Sequence, residues 1–565
     1  MLKRTISVIA CVCMLTPATT AMADLDAGAY LAARQAGAHS DFVSSARYYT
    51  KALLRDPSNS YMLENAMTSF IALGQFSRAV PVATVMVEQG YSSQIAHLVL
   101  SVQNAKDGEW SRIFTGLEQG RSVGPLVDGL AQGWAHLGEG DISRAMASFD
   151  QVIETRGMEA YGTTHKAYAL ASVGDLEGAA TLFETPVSGG LRYSRKSAIA
   201  HAQVLSQLGR NDDALAIIEA VFGRQLDPAV ALIRDALVAG QAVAYDAVST
   251  PEAGLADLYY VIAGLVEEEA PPAFTLMYAR AATYLDPQNT PAVLTAAGLL
   301  EEMGQYDLAN ATFASISTDD PSFHAAELGR AEVLRSAGRD DAAIEVLEAL
   351  TRTHPELPQV WATKGDTLRH VERYDQANDA YTRALGLYEE QSAAKWFVHY
   401  TRGITNHALD LWPAAEADFR AALALRPDHP QILNYLGYSL VERGEKLDEA
   451  LDMIETAAAA RPDNGAIVDS LGWVYFQLGR YDEAVVQMER AASLLPTDPV
   501  INDHLCDVYW AVGRKIDARF HWQRALSFDP EAEDAERIRN KLSRGLDLVL
   551  LEEGEDPIRV ARGND

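Results

Sequence analysis

Few residues in this chain stand at spacings that could do chemistry. Ser392-Ala393-Ala394-Lys395 has the Ser-x-x-Lys spacing in which a lysine amine takes the proton of a serine hydroxyl that attacks an acyl carbon, yet the motifs that accompany it in such enzymes are absent. Asp469 and Asp503 could be drawn as an acid and a base, but they stand 34 residues apart at equivalent positions of a repeat, as a recurring surface feature does. The 13 histidines are scattered, with no HExxH and no paired CxxC, so no metal site is expected. No Gly-rich loop ends in Gly-Lys-Ser or Gly-Lys-Thr, so nucleotide binding and, more generally, a cofactor are not expected either. The expectation is a chain without catalytic, cofactor or metal residues, and not an enzyme.

Thiol chemistry is equally sparse. Of 3 cysteines, Cys11 and Cys13 lie in an opening segment with a basic start (Lys3, Arg4), an apolar run from Ile6 to Leu15 and the small-residue pattern Ala21-Met22-Ala23. That is the pattern of a signal peptide over residues 1–23, cut before Asp24, which places the mature chain in the periplasm. The alternative is an outer-membrane lipoprotein attached through Cys11, since Val8-Ile9-Ala10-Cys11 faintly resembles a lipidation site. Cys506 alone then remains, so no internal disulfide is expected. No later stretch reaches ~20 uninterrupted apolar residues, so no direct membrane span is expected. The net charge of −31 would repel nucleic acid and anionic lipid alike.

What positions side chains here is a repeat. Leu471, Tyr475, Gly479, Ala484, Ala491 and Pro496 recur 34 residues later as Leu505, Tyr509, Gly513, Ala518, Ala525 and Pro530. The ladder continues upstream through Gly304 and Gly338, through Ala309, Ala343 and Ala377, and through Pro287, Pro321 and Pro355. Small residues such as Gly437, Gly472, Ala484 and Ala518 allow two helix axes to cross closely. Larger ones, such as Tyr475, Phe419 and Trp522, are expected in the spaces between neighbouring hairpins. The Gly before Arg480 or Gln305 lets the first helix end and the chain reverse.

This pattern resembles the tetratricopeptide repeat, with Trp361, Gly365, Leu368, Ala377, Tyr381 and Ala384 filling its slots in one unit. The resemblance implies an all-α fold, a right-handed superhelical solenoid of about fourteen antiparallel helix hairpins. Units are expected to begin near Asp26, Ser60, Gln94, Leu126, Ala160, Arg195, Ala256, Thr290, His324, Pro358, Trp396, Pro430, Gly465 and Pro499. The resulting domains are a degenerate N-terminal array (24–228), an irregular joint between two arms (229–255), a C-terminal array (256–530), a capping helix (531–551) and a frayed tail (552–565).

In such repeats the first helix of each hairpin lines the concave side, and residues between the packing positions point there. Projected along the register, these form a protein-binding stripe of Tyr400, Asn434, Tyr438, Asp469, Trp473, Phe476, Asp503, Asp507 and Trp510. The stripe is aromatic and acidic, which favours a guest with basic character. The competing expectation is that several of these rings pack against the next helix instead.

The final third, about Ile432 to Pro530, resembles exported bacterial tetratricopeptide proteins whose closing repeats carry a Gly-Tyr and an Asp-Ser-Leu-Gly-Trp element, here Gly437-Tyr438 and Asp469 to Trp473. Some of these are outer-membrane or periplasmic adaptors of carboxyl-terminal processing proteases. The resemblance implies a scaffold whose partners are other proteins, an envelope protease or assembly machinery. An organiser of polymer export, pilus or cytochrome assembly is the alternative.

Overall fold

The computed structural model describes residues 26–185, 194–223, 226–390, 392–554 and 558. The expected signal peptide, with Cys11 and Cys13, and the tail apart from 552–554 and 558 lie outside them. The described residues hold thirty-one α-helices and no strand. They fall into two compact units, Met1–Val346 and Leu347–Asp565, divided within the helix Asp340–Thr353.

The hairpin Gly465–Gln477 with Tyr481–Leu494 shows why the repeat folds as it does. Asn464 caps the first helix, its side-chain oxygen accepting from the Ile467 amide at 3.2 Å. Gly479 then takes φ 73, and the amides of Gly479 and Arg480 donate back to the carbonyls of Phe476 and Tyr475 at 2.9 and 2.8 Å. This left-handed turn satisfies the last carbonyls and reverses the chain. The next unit repeats it: at Gly513 (φ 83), Arg514 donates to the Tyr509 carbonyl at 2.8 Å.

Inside the hairpins, a ring of the second helix lies over a glycine of the first. A Cβ on Gly133, Gly365 or Gly403 would come within 2.4, 2.6 or 2.7 Å of Phe149, Tyr381 or Phe419. Phe419, expected between hairpins, therefore fills its own hairpin as well as meeting Tyr435 of the next, with ring centroids 5.0 Å apart.

In the unit Met1–Val346 the stretch 229–255 runs from the helix Pro228–Val238 through a non-helical return over 239–250 to the start of the helix Pro251–Val266. The return is fastened to the helix Arg195–Gln207: Gln203 donates to Asp246 at 2.7 Å, Gln207 to the Val243 carbonyl at 2.7 Å, and Ser206 accepts from the Val243 amide at 2.9 Å. The next hairpin turns back onto earlier repeats. Its helix Pro251–Val266 packs on Pro125–Gly138 and Glu159–Ser172, and Pro272–Leu285 packs on Ser60–Ala72 and Gln94–Lys106. Gly254 permits the approach, since a Cβ there would stand 2.3 Å from the Trp134 ring. Tyr284 stacks on Phe76 at 4.5 Å and donates to Gln103 at 3.0 Å.

In the unit Leu347–Asp565 the expected single capping helix is two, Ala532–Arg544 and Leu546–Glu553. The break is Gly545, whose φ of 88 a side-chain-bearing residue would strain to adopt.

Candidate functional site: an acidic and aromatic cavity under the C-terminal helices

The stripe residues lie on successive first helices, Lys395–Ala408, Pro430–Glu442, Gly465–Gln477 and Pro499–Ala511. Tyr400, Asn434 and Tyr438 are half-buried, whereas Asp469, Trp473, Phe476, Asp503, Asp507 and Trp510 are buried. At those positions packing prevails over an open wall: Asp469 and Trp473 pack against His504 of the next first helix, and the chain's own C-terminal helices cover Asp503, Asp507 and Trp510.

Charge explains the covering. Asp503 and Asp507 stand one turn apart, and Lys541 Nζ donates to both at 2.7 Å. Arg537 Nη1 stands 3.8 and 3.9 Å from the same two carboxylates. Burial opposes the charge on Lys541, but Asp507 and Asp503 more than offset it and raise its pKa. Burial pushes the Asp507 carboxyl up to about 6 even against the pull of Lys541. Trp510 is sealed by the second capping helix: Nε1 donates to Asp547 at 2.9 Å, and Gly545 leaves room for the ring.

One hairpin earlier, Trp473 stacks parallel to Phe476 and to His504, with centroids 4.9 and 4.1 Å apart, and its Nε1 donates to Glu442 at 3.1 Å. His504 Nδ1 lies 3.0 Å from Asp469. Burial pulls the imidazole pKa down, but the Asp469 carboxylate outweighs it, with smaller help from Asp503 and Asp507, and the net direction is upward.

Between these groups a cavity of about 290 Å³ remains. Tyr438, Trp473, Phe476, Asp503 and Asp507 of the expected stripe meet there, joined by Glu442, His504, Asp534 and Arg537. Tyr400, Asn434, Asp469 and Trp510 are not on its wall. Asp503 Oδ1 is buried without a hydrogen-bond donor. The cavity thus offers rings and carboxylates to a cation that brings N–H donors.

Projection of the repeat missed Arg537, Lys541, Asp534 and His504. A signal for the first two existed: Arg537, Arg539 and Lys541 are a basic run in a strongly acidic chain, facing two carboxylates one turn apart. The other residues with chemical potential are quiet. Cys506 is fully buried and its thiol donates to the Asn502 carbonyl at 2.7 Å, with burial raising its pKa far above the ordinary thiol range. Ser392 is buried. Among the described residues no group of His, Cys, Asp and Glu is placed to hold a metal ion, and no helix is long and apolar enough to cross a membrane.

Comparison with known proteins finds the repeat in the sequence. Tetratricopeptide-repeat family models match residues 300–366 and, separately, 130–185, 408–446 and 442–499. The TPR repeat-containing protein PA4667 of Pseudomonas aeruginosa is 30% identical over 159 residues, which are 28% of this chain and 26% of that relative. The chain therefore spans about a quarter of the length of the relative it matches. Among solved structures, the APC/C hetero-tetramer Cut9-Hcn1 aligns over 92% of this chain and 96% of its own, at 16% identity and a TM-score of 0.39. Yeast Tom70 aligns over 94% and 97%, at 12% identity and a TM-score of 0.33. With the 34-residue ladder, the helical hairpins and the family-model matches together, this all-α chain carries tetratricopeptide repeats.

Proposed function

We propose that this protein is a non-catalytic scaffold of the bacterial envelope, exported by its leader, that acts as an adaptor bringing substrates to a carboxyl-terminal processing protease. Tetratricopeptide repeats support protein partners in general, and the resemblance over about Ile432 to Pro530 supports this kind of partner. The observation that carries the docking reading is the cavity beside Trp473, where Asp503 Oδ1 lacks a donor and the four carboxylates of Glu442, Asp503, Asp507 and Asp534 outnumber the two cations Arg537 and Lys541. A lysine or arginine side chain of the partner supplies the missing donors, and the aromatic wall receives its aliphatic stem.

The test is capture from envelope extracts with the full mature chain and with Glu442→Gln/Asp534→Asn, two exposed positions whose exchange leaves the core untouched. The wild type should recover a protease in the periplasmic fraction, and the variant should lose most of it. Equal recovery by both would remove the cavity from the reading. Recovery of export, pilus or cytochrome-assembly components instead would favour an organiser, and substrate turnover by the purified chain alone would overturn the non-catalytic assignment.

A further inference from the structure

A second cavity, of about 330 Å³, lies in the unit Met1–Val346 where the hairpin ending at Leu285 meets the helix Ser60–Ala72. Its cation is Arg280, on the second helix of that hairpin and outside the expected stripe. Arg280 Nε donates to the Ala72 carbonyl at 3.1 Å and Nη2 to Thr312 Oγ1 at 3.1 Å. The first contact caps the C-terminal end of a helix, where a positive charge is favoured. It leaves most of the guanidinium fork unused: Nη1 has no acceptor among the described residues, and no acidic side chain pairs with this arginine there. Burial accordingly pulls its pKa down to about 10 with no carboxylate to offset the cost. In a chain of net charge −31 this partly buried arginine has no carboxylate beside it among the described residues, which leaves Nη1 to an incoming anion.

The opening in front of the fork is built. Gly74 closes the turn after the helix Ser60–Ala72 at φ 70, and its Cβ position lies 4.0 Å from Nη1, so the turn borders the fork without blocking it. Phe76, Val293 and Leu308 supply apolar wall, and Ser315 adds a hydroxyl. We infer that Arg280 and this cavity form a binding site for a carboxylate on a short apolar stem, either the C-terminus of a peptide or a small organic acid. One guanidinium suits a monoanion held in two parallel hydrogen bonds, and the remaining wall has no second cation for a phosphate dianion. The site is independent of the acidic cavity in the other unit and stands whether or not that cavity docks a partner.

The test titrates the full mature chain calorimetrically with 4-methylvalerate, with N-acetyl-Leu-Val, and with the C-terminal amide of that dipeptide. Saturable binding of an acid but not of the amide is expected, and the tighter acid identifies the source. Arg280→Lys keeps the charge and a donor for Ala72 while losing the fork, and should weaken binding about tenfold or more. Ala311→Phe fills the opening from an exposed position of the wall and should also abolish binding, with the unfolding temperature of the free chain unchanged. Binding of the amide as tight as that of its acid, absence of binding by either acid at millimolar concentration, or full affinity in both variants would overturn the inference.

Discussion

Lys541 Nζ lies 2.7 Å from the Asp507 carboxylate, with the lysine side chain 0% and the aspartate 1% exposed. A pair this dry is a weak source of net stability but an expensive one to break, because the surviving charge is left in a medium that solvates it poorly. Asp503 at the same distance makes the lysine the counter-ion of two carboxylates. The contact ties the helix Ala532–Arg544 to the face of the last repeat.

Lys541→Met should therefore cost about 3 kcal/mol and release the capping helices first, read as lost hydrogen-exchange protection over 532–553. Adding Asp503→Asn and Asp507→Asn to the same variant should return most of that protection. A Lys541→Met protein that exchanges like wild type would show that the capping helices are held by their apolar contacts alone.

The pair His504–Asp469 makes stability depend on pH in the opposite sense from an ordinary carboxylate. The imidazole pKa is raised in the folded state, so its contribution is complete below the unfolded value of about 6.5 and fades as pH rises through the folded value. In urea unfolding, the deficit of His504→Gln relative to wild type should be largest near pH 6 and shrink at alkaline pH. A deficit that grows with pH would contradict the assignment.

Two glycines of the helix Pro251–Val266 should answer an alanine with opposite signs. At Gly254 the added Cβ meets the Trp134 ring at 2.3 Å, and overpacking should destabilise by about 1–3 kcal/mol. At Gly264 nothing lies within 4 Å, and the gain in helix propensity should stabilise by about 0.5–1 kcal/mol. Thermal unfolding of the two variants decides whether this hairpin is seated on the earlier repeats. Equal and favourable responses would unseat it.

The hairpins were legible in the sequence because each is a local object. Helices begin at Ser60, Gln94, Arg195, Thr290, Pro358, Pro430, Gly465 and Pro499, the residues the register indicates. The departure is at Ala256: the helix starts at Pro251, where Thr250 accepts from the Ala253 amide at 3.2 Å and proline occupies the first turn. There a capping signal outweighs the period. What the period does not encode is contact between distant repeats. Arg280 meets the Ala72 carbonyl 208 positions away, and Tyr284 meets Gln103 across 181. The site was half legible for the same reason. The repeat placed Trp473, Asp503 and Asp507 on one face, but it said nothing of the basic residues after Pro530, which belong to no repeat and find those carboxylates only once the chain has folded.

A buried histidine in the first unit supplies a pH response of the other sign. Trp134 Nε1 donates to His165 Nδ1 at 3.1 Å, which requires that nitrogen to be unprotonated, and burial lowers the His165 pKa to about 4. Above about pH 6.5 the ring is neutral folded or unfolded and costs nothing. As pH falls toward 4 the unfolded chain takes up a proton that the folded one refuses, so stability drops by up to about 3 kcal/mol. His165→Gln offers an amide oxygen to the same indole N–H and cannot titrate. Its unfolding midpoint should be lower than that of wild type at pH 8, and the gap should close or invert at pH 4.5. A gap constant across that range would mean that His165 titrates normally and that the contact with Trp134 does not hold it neutral.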